Sequence, residues 1–274
     1  MTVGLKVRDL TLHLGGVTAL SNVDLTVHPS TVHALIGPNG AGKTSFFNCI
    51  SGFYRPTPTS SVVLGEDELL GRRPDQVAQL GVARVFQNVE LFGRATTLQN
   101  MMMGRHRLMR STLLSDALWL RRTRREETDH RARVEELIEF LEMEDVRDVA
   151  TYDLPYGMQK RVELGRALAM EPRLLLLDEP VAGMNTEEKE DVARFVLDIK
   201  RLLNVTMILI DHDMHFVMDL ADHVSVLEFG TLIADGTPGQ VQGDERVIEA
   251  YLGGAEGLDL SIDGQDSWVG ALRR

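Results

Sequence analysis

Cysteine is nearly absent from this sequence: Cys49 is the only one in 274 residues. A single thiol excludes an internal disulfide framework and a cysteine-based metal cluster, and it fits a reducing compartment. Aromatic residues are scarce at 5%, and long apolar runs are missing. The longest, LLLL at 174–177 and MILI at 207–210, fall far short of the roughly 20 residues that span a bilayer. The opening MTVGLKVRDL carries a charge every few positions and has no signal-peptide core. A basic excess is also lacking: 29 Lys and Arg stand against 41 Asp and Glu, a formal net charge of -12. That balance excludes broad nucleic-acid binding, which needs a basic face. What remains is an acidic chain, 43% hydrophobic and 26% charged, expected to be soluble, intracellular and globular, with length for one large domain or two modest ones.

Residue patterning predicts strands over 3–14, 23–27 and 32–37, then a helix from Gly42 to about Ser51. Strands at 62–65 and 83–87 flank a short helix near 74–80. From about 96 to 171 the periodicity becomes helical: Leu113, Leu114, Ala117 and Leu118 share one face, and Val134, Leu137, Ile138 and Leu141 another. Alternation then resumes with a strand at 173–180, a helix near 186–203, a strand at 206–212, a helix near 213–221 and a strand at 224–229. Such alternation implies a largely parallel buried sheet covered by helices. The helical block reads as an insertion into one α/β core, and no internal repeat is present.

Three segments carry chemistry. GPNGAGKTS at 37–45 satisfies the phosphate-loop pattern and follows an apolar strand. Gly37, Gly40 and Gly42 let the backbone of Gly37, Pro38, Asn39, Gly40, Ala41 and Gly42 curl so that its N–H groups face a triphosphate. Lys43 brings a cation to the β- and γ-phosphates, the Thr44 hydroxyl suits Mg²⁺, and Ser45 continues the helix start. LLLLDEP then places Asp178 and Glu179 at the end of an apolar strand, where a parallel sheet presents its ligand-binding edge. Asp178 is suited to hold Mg²⁺, and Glu179 to take a proton from an attacking water. IDHDMH at 210–215 has no zinc-helix spacing. His212, ending another apolar strand, is the better candidate for the γ-phosphate than His215. Gln87, closing ARVFQ, is a third polar group at a strand end, placed to sense Mg²⁺ or the attacking water.

The order of these motifs, with LPYGMQKR at 154–161 and AGMN at 182–185, resembles the ATP-binding subunit of ABC transporters. FFNCISGFYRPT, RVFQNVELF, AGMNTEE, IDHDMHFVMDLAD and ADGTP are similar to the subgroup serving branched-chain amino-acid uptake. The resemblance covers about residues 3 to 253. It implies an α/β P-loop NTPase cassette with a mostly parallel core sheet, an N-terminal antiparallel β-rich part and an inserted helical subdomain. The cassette would occupy 1–254, the insertion about 88–171, and a tail 255–274. It further implies ATP and Mg²⁺ as ligands, ATP hydrolysis coupled to transport, and a peripheral position on the cytoplasmic face of the membrane. Implied partners are permease subunits, a second ATPase subunit forming a homo- or heterodimer, and a solute-binding protein, with no nucleic acid. Leu154, Pro155, Tyr156, Gly157 and Met158 would face the γ-phosphate held by the second ATPase subunit. The family pattern there is L-S-G-G-Q, and L-A-Y-G-Q in the subgroup. Pro155 and Met158 depart from it, which leaves the backbone around Gly157 to meet the phosphate at a helix start. The family also stacks an aromatic on adenine where this sequence has Leu14; apolar packing by Leu14 or the face of His13 would serve instead.

Other systems sharing this cassette, an exporter or a lipid-extracting machine, remain open, as does a soluble non-transport ATPase. The last class usually carries two cassettes, a long coiled coil or a basic face, none of which is evident. No N-K-x-D motif reads guanine, and a P-loop kinase would not explain 154–161. Residues 105–133 hold nine Arg against Asp116, Glu126, Glu127 and Asp129. This stretch is either a solvated helix face with local ion pairs or a contact for anionic lipid headgroups or the pore. The Gly-rich acidic tail reads as flexible, with Trp268, Val269 and Leu272 as an alternative docking peptide.

Overall fold

A computed structural model describes residues 2–109 and 121–252, side chains at 121–125 and 252 excepted. The expectations for 111–120, for the side chains of Arg121, Arg122, Arg124 and Arg125, and for the tail 255–274 lie outside the described residues. Among the described residues ten strands run β1 Leu5–Leu14, β2 Val17–Val27, β3 Val32–Ile36, β4 Ser61–Leu64, β5 Asp67–Glu68, β6 Val82–Val85, β7 Leu174–Asp178, β8 Thr206–Ile210, β9 His223–Glu228 and β10 Thr231–Gly236. The described α-helices are α1 Lys43–Ile50, α2 Pro74–Gln79, α3 Thr97–Arg105, α4 Arg121–Phe140, α5 Tyr156–Ala169, α6 Thr186–Asp198, α7 Met214–Leu220, α8 Pro238–Gln242 and α9 Glu245–Leu252. They divide into two compact units, the described residues of 2–84 with 173–252, and those of 85–172.

The first unit holds two sheets. One is four-stranded in the order β2-β1-β4-β5, with antiparallel pairing of β1 to both β2 and β4. The other runs β10-β9-β3-β8-β7-β6. Its centre is parallel, β3 beside β8 and β9, and β7 beside β8. β10 closes one edge in the antiparallel sense. Strands β3, β7 and β8 are buried at every position, which is why they read as unbroken apolar runs rather than alternating ones. Phe46, Phe47 and Ile50 of α1 pack into a core with Leu5, Leu25, Leu35, Leu176 and Ile208. The fold is thus the α/β cassette with a mostly parallel sheet and an antiparallel β-rich part.

The second unit is mainly helical. Val134, Leu137, Ile138 and Leu141, the expected apolar face, are all buried. α3 begins with a capping box in which Thr96 Oγ1 accepts from the Gln99 N–H and the Gln99 side chain accepts from the Thr96 N–H. Gly104 lets α3 approach α5, because a Cβ there would lie 2.2 Å from the Arg166 carbonyl. The arginine-rich stretch is not uniformly a surface. Arg105 is buried and donates to the Ala169 carbonyl at 3.0 Å and Glu171 Oε1 at 2.7 Å. Arg131 and Arg133 make helical ion pairs with Glu135 and Glu136.

The strands expected over 83–87, 173–180 and 206–212 stop earlier, at Val85, Asp178 and Ile210, so Gln87 and His212 lie in the turns two residues past strand ends rather than on them. Two further boundaries differ more. The helix near 186–203 is α-helical only to Asp198 and continues as a π-helical turn over Ile199–Leu203, closed by Asn204 at φ 53. β2 begins at Val17 rather than Val23, because antiparallel pairing with β1 extends through Leu20 and the polar Thr18 to Val17.

Candidate functional site

In the first unit, β3 runs into the loop 37–42 and α1 begins at Lys43. The loop is held from outside. Gly230, in the turn between β9 and β10, donates its N–H to the Ala41 carbonyl at 2.9 Å and accepts from the Ser21 N–H at 2.8 Å. Gly42 precedes α1 at φ 105, and a Cβ there would stand 2.6 Å from the Ala19 carbonyl. Only glycine meets both demands. The first-turn N–H groups of α1 point along the helix toward the loop, a favourable setting for an anion. Lys43 Nζ donates to the carbonyls of Gly37 at 2.6 Å and Pro38 at 3.0 Å. Burial lowers its pKa, while Glu179 and Asp178 act in the opposite sense. The phosphate-loop cation and both carboxylates therefore share one electrostatic neighbourhood.

β7 delivers the carboxylates. Asp178 is its last residue and pairs with Ile210 of β8. Its Oδ2 accepts from Arg84 Nη2 at 2.6 Å, and Arg84 Nη1 donates to Asn48 Oδ1 at 2.8 Å. Glu179 follows at φ 46 with its N–H on the Ile210 carbonyl at 2.7 Å. A non-glycine residue in that region stores about 1–3 kcal/mol of strain, and here the ladder bond holds it there. The turn also sets the Glu179 side chain beside His212. His212 Nδ1 lies 3.7 Å from Glu179 Oε2 and 3.7 Å from Asp211 Oδ1.

The His212 backbone is fixed by Asp211, whose buried Oδ1 accepts from the N–H groups of His212 at 2.8 Å and Asp213 at 3.0 Å. Burial pushes the Asp211 carboxyl up, and those N–H groups and His212 pull it back. Asp213 caps α7 through the Phe216 N–H at 3.1 Å and takes the Lys189 ammonium at 2.6 Å. Burial would raise the Asp213 pKa, but Lys189 and the Phe216 N–H outweigh it and the carboxyl sits low. Lys189 lies one turn into α6, whose Asn185–Glu188 capping box closes the AGMN segment. That segment and the His212 turn are thereby tied together.

Leu14 ends β1 opposite Val17 and is 40% exposed. The neighbouring His13 ring is engaged within the hairpin, Nδ1 at 3.1 Å from Thr18 Oγ1.

The second unit carries Gln87 and the segment 154–158. Gln87 lies two residues past β6, and its carbonyl accepts from Lys160 Nζ at 2.6 Å. α5 opens at Tyr156, one residue before Gly157, with Pro155 at the N-cap position and φ −54. Gln159 Nε2 donates to the Leu154 carbonyl at 2.8 Å and closes this first turn. Leu154 is buried, while Pro155 and Tyr156 are exposed.

The first unit thus brings together Lys43, Asp178, Glu179 and His212 at the carboxyl ends of parallel strands. Two groups are not marked as functional by the sequence, Arg84 and Lys160. A charged residue inside the apolar strand VARV is the available sign for Arg84, and nothing local marks Lys160. Asp211 stands out in the sequence only as part of the IDHDMH cluster, and the structure gives it the holding of the His212 backbone.

Residues 20–182 match the family model described as ABC transporter, and 231–257 match the model described as branched-chain amino acid ATP-binding cassette transporter. The chain is 37% identical over 251 residues to the high-affinity branched-chain amino acid transport ATP-binding protein LivG of Escherichia coli, covering 92% of this chain and 98% of that protein. It is 38% identical over the same length to BraF of Pseudomonas aeruginosa, with the same two coverages. Among solved structures it is similar to the ADP conformation of an ATP-binding cassette of an ABC transporter, at TM-score 0.79 and 28% identity, covering 93% of this chain and 100% of that one. A nucleotide-free cassette from an ABC transporter aligns at TM-score 0.78 and 27% identity, covering 91% and 99%.

Proposed function

The chain belongs to the ABC transporter family of ATP-binding proteins, and from that premise we propose how its own residues bind and hydrolyse ATP. It is an ATP-hydrolysing subunit of a transport system. The observation that carries the reading is that β3, which runs into the phosphate loop, and β7, which ends at Asp178, flank β8 in parallel, so the loop and the two carboxylates lie at the same edge of the sheet. The N–H groups of 40–45 and the Lys43 ammonium hold the β- and γ-phosphates. Glu179 accepts a proton from the attacking water, and His212 meets the γ-phosphate, its backbone fixed by Asp211. Gln87 orients the water. The Thr44 hydroxyl and Asp178 are hard oxygen donors of the kind Mg²⁺ takes, and they are the residues that would hold it. Mg²⁺, when bound, neutralises phosphate charge. Leu154 to Met158 and the start of α5 serve the nucleotide of a second ATPase subunit, with N–H groups in place of a serine hydroxyl.

Members of this family work with membrane permeases and pair as dimers, and no described helix here is long and apolar enough to cross a membrane. The chain energises an importer for branched-chain amino acids or related small amino acids or amides, peripheral to the cytoplasmic face. Its partners are permease subunits, a second ATPase subunit and a solute-binding protein. The family model matched over 231–257 and relatives of 37–38% identity along nearly their whole length support this cargo class. The test is purification from gently solubilised membranes, followed by uptake of labelled leucine, isoleucine and valine in cells with and without the chain. Co-purifying permeases and lost uptake are expected. Recovery without a permease, or uptake independent of the chain, overturns the reading.

A further inference from the structure

Gln87 sits where the chain has just left a sheet. β6 ends at Val85, so the carbonyls of the next residues need partners other than a ladder. Lys160 supplies them. Its Nζ donates to the Phe86 carbonyl at 2.7 Å and the Gln87 carbonyl at 2.6 Å, and the residue is 3% exposed. Glu163, one turn along α5 and 1% exposed, lies with Oε2 3.7 Å from the same ammonium. Its Oε1 accepts from the Glu90 N–H at 3.4 Å, and Arg166 Nη1 donates to the Glu90 carbonyl. Three charged side chains on one face of α5 therefore grip the segment 86–90 by its carbonyl and amide groups.

We propose that Lys160 and Glu163 lock the Gln87 segment to α5, making Lys160 the positioning residue for Gln87. A buried ion pair seldom adds net stability over apolar packing, because desolvation offsets the attraction. Its physical value here is geometric: one ammonium donates to two successive carbonyls while staying within ion-pair distance of a carboxylate, which no apolar side chain can do. The consequence is mechanical. α5 starts at the segment 154–158, so a displacement of that helix start carries the Gln87 backbone with it. Phosphate contact at the helix start and the orientation of Gln87 become one movement. The functional half of this inference rests on Gln87 orienting the attacking water, as proposed above.

The test uses the full chain hydrolysing MgATP, with three variants and amide exchange as a second measurement. Lys160→Met alone strands the Glu163 carboxylate and threatens folding, so the Lys160→Met/Glu163→Leu pair removes both charges together. That pair is expected to lower kcat about tenfold with KM for ATP within about twofold, and to speed amide exchange across 87–90 about tenfold. Lys160→Arg, which keeps the charge and the donors, is expected to restore most of the rate. A paired variant with unchanged kcat and unchanged exchange overturns the lock, as does a lowered kcat with exchange at 87–90 unaltered. Gln87→Ala in parallel separates the two readings. If it leaves kcat unchanged, the role of Gln87 fails, and the lock stands or falls on exchange alone.

Discussion

Arg84 and Asp178, 94 positions apart in sequence, meet through Nη2 and Oδ2 at 2.6 Å with both side chains under a tenth exposed. Arg84 also reaches Asn48 of α1 and lies over the Phe47 ring at 5.4 Å. One guanidinium therefore joins the strand that carries Asp178 to the helix that follows the phosphate loop. Arg84→Met leaves a buried carboxylate without its cation, which costs about 3–5 kcal/mol. Urea unfolding is expected to show that loss. Arg84→Lys is expected to recover only part of it, because an ammonium cannot reproduce the planar fork that serves Asp178 and Asn48 together. Full recovery by lysine would show that charge alone matters at this position.

Glu179→Gln removes the base while keeping the shape of the turn. Hydrolysis is expected to fall about 10²- to 10⁴-fold, with ATP still bound and ATP-driven association intact. The measurement is phosphate release beside equilibrium nucleotide binding. Because glutamine matches glutamate in shape and branching, it meets the φ 46 backbone at this position at a similar cost, and the comparison isolates the carboxylate. Unchanged turnover would remove Glu179 from its role.

How much of this was legible in the sequence depends on distance along the chain. GPNGAGKTS and LLLLDEP declare themselves because each packs its chemistry into consecutive residues beside an apolar strand. The parallel core sheet was legible for the same reason, since β3, β7 and β8 are unbroken apolar runs. Arg84 and Lys160 were not, because what gives them meaning is a partner dozens of positions away, Asp178 for one and the Phe86 and Gln87 carbonyls for the other. The change from α- to π-helix after Asp198 was also hidden, since the residues of 199–203 are ordinary helix formers. The start of α5 is one residue earlier than the sequence suggests, at Tyr156 rather than Gly157. Pro155 takes the cap position instead, its restricted φ matching the approach to a first turn.

His33, in the strand that leads to the phosphate loop, makes stability depend on pH. It is fully buried, with Nε2 at 2.8 Å from Ser225 Oγ and its ring 5.0 Å from that of His223. Burial, then His223, hold its pKa down to about 4, against a smaller upward pull from Asp235, while His28 adds to the lowering. A depressed imidazole means that the unfolded chain binds the proton more readily. The stability gained from a neutral His33 is therefore full above about pH 6.5, the unfolded value, and is lost as pH falls through about 4. The loss amounts to about 3 kcal/mol. Urea midpoints measured from pH 7.5 to 4 are expected to fall across that window, and His33→Gln is expected to flatten the fall.

Two glycines of the phosphate loop separate backbone strain from crowding. Gly40 has φ 81 and no atom within 4 Å of where a Cβ would stand. Gly42 has φ 105 and would set its Cβ 2.6 Å from the Ala19 carbonyl and 3.0 Å from Leu20 Cδ2. Alanine at either position pays for a left-handed backbone, about 1–2 kcal/mol. Only Gly42→Ala adds a clash with main chain that is itself held through Ser21 and Gly230. Gly40→Ala is therefore expected to lower the unfolding free energy modestly and to retain nucleotide binding. Gly42→Ala is expected to lose more stability and, by shifting the start of α1 and the Lys43 ammonium with it, to weaken ATP binding at least about tenfold. Isothermal titration with ATP and urea unfolding on both variants decide the matter. Equal losses at the two positions would mean that Ala19 yields, and that the loop is not braced by β2.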